Sequence, residues 1–172
     1  MPEVTHLQDK DILVETSKYP DYAYWPFENF NPPQSCVIDV FEQDANIGIA
    51  AATSAGKTVC AEMYMAQEIR TRGGKAMYLG THKALVQEKL NDWTDFDHHF
   101  SDLNISICSG DYQLTDARKK ELARADIICM TSEMLASRCR NFKSEKNNFL
   151  LELGTLVVDE SHLLTVPGRG DH

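Results

Sequence analysis

The stretch Ala51-Ala-Thr-Ser-Ala-Gly-Lys-Thr58 fits the spacing G-x-x-x-x-G-K-[ST], with Ala51 at the first glycine position. These residue types suit one task, the grip of a polyphosphate. Backbone N–H groups at a helix N-terminus cradle phosphate oxygens, and a glycine at position 56 lets the backbone come close. The spacing assigns Ala52, Thr53, Ser54, Ala55 and Gly56 to the cradle. It gives Lys57 the β- and γ-phosphates and the Thr58 hydroxyl an Mg²⁺ ion. The second informative string is Leu156-Val-Val-Asp-Glu-Ser-His162, an apolar run that ends in paired carboxylates. There Asp159 can hold Mg²⁺ through water, and Glu160 can orient and deprotonate a water that attacks the γ-phosphate. Alone, each string has a bland reading, an incidental glycine turn or an exposed acidic turn. Together they specify a site for Mg²⁺ and ATP.

Such a site needs a strand, a loop and a helix in sequence, and the pattern supplies them. Asn46–Ala51 reads as a buried strand and Lys57–Arg72 as a helix ended by Gly73-Gly74. Then come a strand at Lys75–Leu79, a helix from Lys83 to about Phe96 and a strand at Asn104–Cys108. A helix follows at Thr115–Ala125 with Thr115 as its N-cap, then a strand at Ile127–Met130, a helix at Ser132–Arg140 and a strand at Leu156–Asp159. Strands alternating with helices predict an α/β fold, a mainly parallel sheet with helices on both faces. In such a sheet the Asp159–Glu160 carboxylates fall at the C-terminal edge, where the phosphate loop also lies. Residues 1–33 read as an N-terminal arm, acidic at first and then aromatic and proline-rich from Tyr19 to Phe30. The domain proper spans 34–172. Pro32 and Pro33 suit a first helical turn, and Val37, Ile38 and Phe41 give a short amphipathic helix over Gln34–Gln43.

The 172 residues suffice for one domain with a core of its own, and the chain carries a net charge of −9. That charge argues against a protein gripping nucleic acid by bulk positive potential. Its distribution tempers the argument, since residues 1–45 hold nine acids against two bases and the rest of the chain is near neutral. The five cysteines, Cys36, Cys60, Cys108, Cys129 and Cys139, show no C-x-x-C spacing. A disulfide scaffold or zinc ribbon is not expected; buried thiols in a reducing cytoplasm, or in a nucleus if the source is eukaryotic, are. No window approaches the ~18 apolar residues of a membrane span, and Met1–Lys10 has no signal-peptide pattern.

These motifs resemble those of superfamily 2 helicases of the DExH-box type, closest to the subgroup of archaeal repair helicases and exosome-associated RNA helicases. The resemblance runs from about Phe30 to Gly170. Phe30-Asn-Pro-Pro-Gln34 is similar to the segment whose glutamine reads the adenine edge, as a side-chain amide can. Residues 51–58 resemble motif I, Tyr78 to Glu88 motif Ia, Ser109-Gly-Asp111 motif Ib, Ala125 to Leu135 the T-P-E segment, and Asp159–His162 motif II. Leu163-Leu164 with Arg169-Gly170 resembles the continuation of this subgroup. Prolines usual in three of these motifs are replaced by Ala52, Thr81 and Ser132, small or polar residues that keep the loops while lessening their rigidity. The resemblance implies a RecA-like fold and ATP with Mg²⁺ as cofactors. It also implies catalytic roles for Lys57, Asp159, Glu160 and His162, and a single-stranded DNA or RNA path over the domain. Strand ends and helix N-termini can supply that path with phosphate donors, and the candidates are Thr81, His82, Lys83, Gly110, Thr131 and Arg138. It further implies a later strand carrying an S-A-T motif and a second RecA-like domain with an arginine finger. The expectation is a piece of a longer helicase that binds ATP weakly, turns it over little and unwinds nothing alone.

Other residues take plainer readings. Arg118, Lys119, Lys120 and Arg124 cluster on one helix, as a solvated face in preference to a part of the strand path. His98-His99 reads as a loop pair without the partners of a closed zinc site. Met63, Met65 and Met77 read as core. The aromatics from Tyr19 to Phe30 either flank adenine, with Phe27 or Phe30 nearest Gln34, or anchor the arm. Two other classes stay open: a P-loop kinase and a non-catalytic module that binds strands or partners.

Overall fold

A computed structural model describes residues 13–19, 25–38, 40–41, 43, 45–108 and 115–162. The chain divides into two compact units, residues 1–66 and 67–172.

In the first unit, Glu15 and Asn29 form an antiparallel bridge flanked by the bonds Thr16 N–H to Glu28 O and Phe30 N–H to Val14 O. This pairing seats Phe30, with no exposed surface, against Tyr19, Trp25 and Phe27 at centroid distances of 6.4, 5.6 and 5.7 Å. Phe41 joins through Tyr19 and Tyr64. These edge-on contacts are the geometry aromatic rings prefer. The described aromatics therefore pack as a small core, in which Phe30 and Trp25 are buried and Phe27 half-buried.

Helix α1 spans Pro32–Ile38. It starts two residues before the expected Gln34, because Pro32 at the first helical position has the right φ and no N–H to satisfy. Asn31 and Gln34 form a reciprocal cap: the Gln34 N–H donates to Asn31 Oδ1 at 3.0 Å and the Asn31 N–H to Gln34 Oε1 at 2.9 Å. The strand expected at Asn46–Ala51 is not formed. A strand exists through its ladder, whereas these residues join none and are exposed to half-buried, with Gly48 giving no side chain to pack. Helix α2 (Lys57–Gln67) follows the phosphate loop, and Met63 and Met65 on it are core residues as expected.

The expected helix over 57–72 changes character near its end. Residues Glu68–Arg72 wind as a π-helical turn, and Gly73 closes it in the left-handed conformation. The second unit then builds a parallel sheet from β1 (Lys75–Gly80), β2 (Ile105–Cys108), β3 (Ile127–Thr131) and β4 (Leu153–Val158), in the order β2-β3-β1-β4. The two central strands are apolar and buried almost throughout, as strands covered on both faces must be, whereas the edge strands alternate. One face carries Met77, Leu79, Ile128 and Met130, packed with Leu122 of α4 (Asp116–Arg124) and Phe149 of a 3₁₀ segment (Glu145–Glu152). Met134 and Leu135 of α5 (Ser132–Arg140) join this cluster. Tyr78 meets Trp93 of α3 (Lys83–Trp93) edge-on at 5.2 Å, and Phe100 closes on Trp93.

Thr115 caps α4, accepting from the Arg118 N–H, as the sequence predicts. Lys75 donates to Ala123 O and Ala125 O at the end of α4, where a cation suits the helix dipole. Helix α3 stops at Trp93, three residues early, with the Thr94 hydroxyl bonded back to Leu90 O. The last strand starts earlier than expected, at Leu153, because its register with β1 begins at Lys75.

Candidate functional site

The phosphate loop is preset in the first unit. Thr53–Ala55 turn as a short 3₁₀ segment, Gly56 adopts the left-handed conformation at φ 71°, and Lys57 is the first residue of α2. A Cβ at position 56 would lie 2.3 Å from Gln34 Nε2, so a larger residue would have to displace that amide as well as adopt a left-handed backbone. The Lys57 ammonium donates to Ala51 O and Ala52 O at 2.8 and 3.0 Å. Two neutral carbonyls are weak partners for an ammonium compared with phosphate oxygens, which would compete successfully for it. Ala52, Ser54 and Thr58 are exposed around it.

Gln34, expected to read adenine, is buried and bonded at both ends of its amide. Its Oε1 is taken by the cap, and Nε2 donates to Gly56 O at 3.2 Å. Asn31 Nδ2 donates to Ala55 O at 3.0 Å. The two amides thus clamp the loop backbone. Asn31 escaped the sequence reading, although Asn-x-x-Gln before an apolar turn is the spacing of a capping box.

The acidic pair belongs to the second unit. The Asp159 N–H donates to Leu79 O at 3.0 Å, ending the β1–β4 pairing at the sheet's C-terminal edge. Its carboxylate is held at both oxygens: Oδ1 accepts from the Glu160 N–H at 2.8 Å and Oδ2 from the Tyr78 hydroxyl at 2.7 Å. Burial, and then the Asp159 contact, pushes the Tyr78 phenol well above its ordinary range, so it stays a donor. Glu160 has φ 50°, the one non-glycine positive φ among the described residues, a conformation that costs a side chain about 1–2 kcal/mol. That turn swings its carboxylate to 3.2 Å from His162 Nδ1. Strain of this kind concentrates where a side chain must be aimed. Among the described residues, hard oxygen donors of the kind Mg²⁺ prefers are present at Thr58 and Asp159.

The same edge of the sheet gathers most of the expected strand-binding residues. A cleft of about 430 Å³ is rimmed by Thr81, His82, Lys83, Thr131 and Glu133, over an apolar floor that includes Cys108 and Met130. His82 precedes α3, and Thr131 caps α5 by accepting from the Met134 N–H. Ser132 opens α5 at a position where the resemblance implies proline, and the helix forms regardless. Arg138 is not on this rim; it is the seventh residue of α5, half-buried, with its charge near the Cys108 thiol. Gly110, with Ser109 and Asp111, and the segment from Leu163 to Gly170 lie outside the described residues. On α4, Arg118 pairs with Glu121 and donates to Ile107 O, so its side chain is largely covered, while Lys119 pairs with Asp116.

Comparison with known proteins settles the lineage. The family model of DEAD/DEAH box helicases matches residues 31–172. The chain belongs to this family. It is 33% identical to the ATP-dependent DNA helicase Hel308 of Pyrococcus abyssi over 145 residues, 83% of this chain and 19% of that protein. Identity to Hel308 of Methanocella arvoryzae is 37%, over 81% of this chain and 18% of that one. With activating signal cointegrator 1 complex subunit 3 of Dictyostelium discoideum it is 31%, over 93% and 7%. The chain thus spans less than a fifth of the length of these relatives. The helicase MrfA, solved with DNA and AMPPNP, superposes with a TM-score of 0.69 at 22% identity, covering 87% of this chain and 20% of that one. That superposition establishes the RecA-like α/β fold.

Proposed function

We propose that this chain is the nucleotide-binding RecA-like domain of an ATP-dependent helicase or translocase that moves on a DNA or RNA strand. The observation that carries the reading is the Asp159–Glu160–His162 turn, fixed at the C-terminal edge of a parallel sheet in a chain that also holds a preset phosphate loop. A family match spanning both motifs supports their use on one nucleotide and weighs against a kinase. The loop amides and Lys57 bind the triphosphate, whose oxygens displace Ala51 O and Ala52 O from the ammonium. Glu160 takes the proton of the attacking water, and His162 holds the Glu160 carboxylate in place. Thr58 and Asp159 would hold Mg²⁺, which when bound neutralises phosphate charge.

The Thr81–Lys83 and Thr131 rim serves the strand, its helix N-termini meeting backbone phosphates. Single-stranded nucleic acid fits this reading, and the Hel308 relatives incline it toward DNA. A second RecA-like domain would add an arginine finger, worth about 10³ to 10⁵ in rate. The test is Mg²⁺-dependent binding of a fluorescent ATP analogue, with turnover measured with and without single strands. We expect weak binding that is lost in Lys57→Ala, and little turnover without the second domain. Unchanged binding in Lys57→Ala would overturn the assignment.

A further inference from the structure

We propose that Tyr78 is a positioning residue that sets the orientation of the Asp159 carboxylate for its metal; the proposal rests on the function assigned above. Tyr78 stands in β1, whose other residues beyond Lys75 are buried and apolar, and lies opposite Val157 of β4. It is 3% exposed, and Trp93 fixes its ring edge-on. For packing alone, phenylalanine would serve better, because a buried hydroxyl costs free energy unless it is paired. The hydroxyl is paired, with Asp159 Oδ2.

The Asp159 side chain leaves the strand end with two rotatable bonds. The Glu160 N–H restrains one oxygen by a contact inside the same turn. Tyr78 restrains the other from a neighbouring strand, so the carboxylate plane is tied to the sheet rather than to the turn alone. Each oxygen keeps a lone pair for water or metal. Without the phenol, only the bond within the turn would hold the carboxylate, and its plane would be set at the moment of binding. Loss of such a ligand-orienting partner lowers metal affinity by roughly 10- to 100-fold.

The experiment uses the whole chain. Binding of a fluorescent ATP analogue is titrated with Mg²⁺, and separately measured in EDTA, for wild type, Tyr78→Phe, Asp159→Asn and the double variant. Tyr78→Phe should raise the Mg²⁺ half-saturation by about tenfold, the low end of that range. It should leave affinity in EDTA unchanged. In the Asp159→Asn background it should add nothing further, whereas a purely structural role would add its loss there too. para-Aminophenylalanine at position 78 keeps the ring and supplies a weaker donor, so its half-saturation should fall between those of Tyr and Phe. This ordering still decides the matter if the Phe variant folds poorly. Wild-type half-saturation in Tyr78→Phe, with Asp159→Asn impaired, would overturn the role of Tyr78 and leave the site intact. Wild-type binding that ignores Mg²⁺, or an unaffected Asp159→Asn, would overturn the site reading and this proposal with it.

Discussion

The clamp of Gln34 and Asn31 on the phosphate loop makes Gly56→Ala and Gln34→Ala strongly coupled. At φ 71° the new alanine pays about 1–2 kcal/mol for the left-handed backbone. Its Cβ, 2.3 Å from Gln34 Nε2, also drives that amide off Gly56 O and out of the cap. Those bonds contribute about 1 kcal/mol for the clamp and about 1 kcal/mol for the cap. Gly56→Ala should therefore lose about 3–4 kcal/mol and Gln34→Ala about 2 kcal/mol. In the double variant nothing is left at position 34 to displace, so the loss should match that of Gly56→Ala alone. The coupling is about 2 kcal/mol, well above the scatter of independent sites. Urea unfolding followed by Trp25 fluorescence in a Trp93→Phe background reads the unit that holds the clamp. Simple addition of the two single losses would refute the reasoning.

Other expectations follow from the same contacts. Glu160→Gln should keep ATP-analogue binding and lower turnover, once the second domain is supplied, by about 10²- to 10⁴-fold; unchanged turnover would exclude Glu160 as the base. Trp93→Ala, which empties the contact between Tyr78 and Phe100, should cost about 3–5 kcal/mol in urea unfolding. Of the five thiols only Cys139 is exposed, so native labelling at pH 8 should show one fast equivalent, and Cys139→Ser should abolish it. Burial raises Cys60 to about 11, Cys129 to about 12 and Tyr64 to about 12, above ordinary values of 9.0 for thiols and 10.0 for phenol. Unfolded chains ionise these groups first, so their stabilisation is full below pH 9 and is lost as pH rises through about 11 to 12. A urea midpoint that stays flat between pH 9 and 11 would contradict this.

What could be read from the chain alone was the chemistry that is local. The Thr115 cap and the three inner strand–helix alternations depend on spacings of a few residues, and the structure keeps them. The strand at Asn46–Ala51 could not be settled that way, because an apolar run becomes a strand only if a ladder partner accepts it. Gln34 shows a second limit. Its amide can read a base or clamp a carbonyl, and only the packing of α1 beside the loop decides which bonds are made here. Arg138 likewise has the composition of a phosphate contact, yet it is half-buried and does not line the cleft. Tyr78 left a trace that could have been followed: one hydroxyl in an otherwise apolar buried strand must find an acceptor.

The central claim is that Lys57 and Thr58 share one nucleotide with Asp159 and Glu160. Mn²⁺–ATP added to the isotopically labelled chain tests it directly, since the bound ion broadens nearby backbone amide signals. The account predicts broadening of Gly56–Thr58 and of Asp159–Glu160 together, both reversed by excess Mg²⁺. Broadening confined to the loop, with the acidic turn untouched at saturating Mn²⁺–ATP, would contradict it.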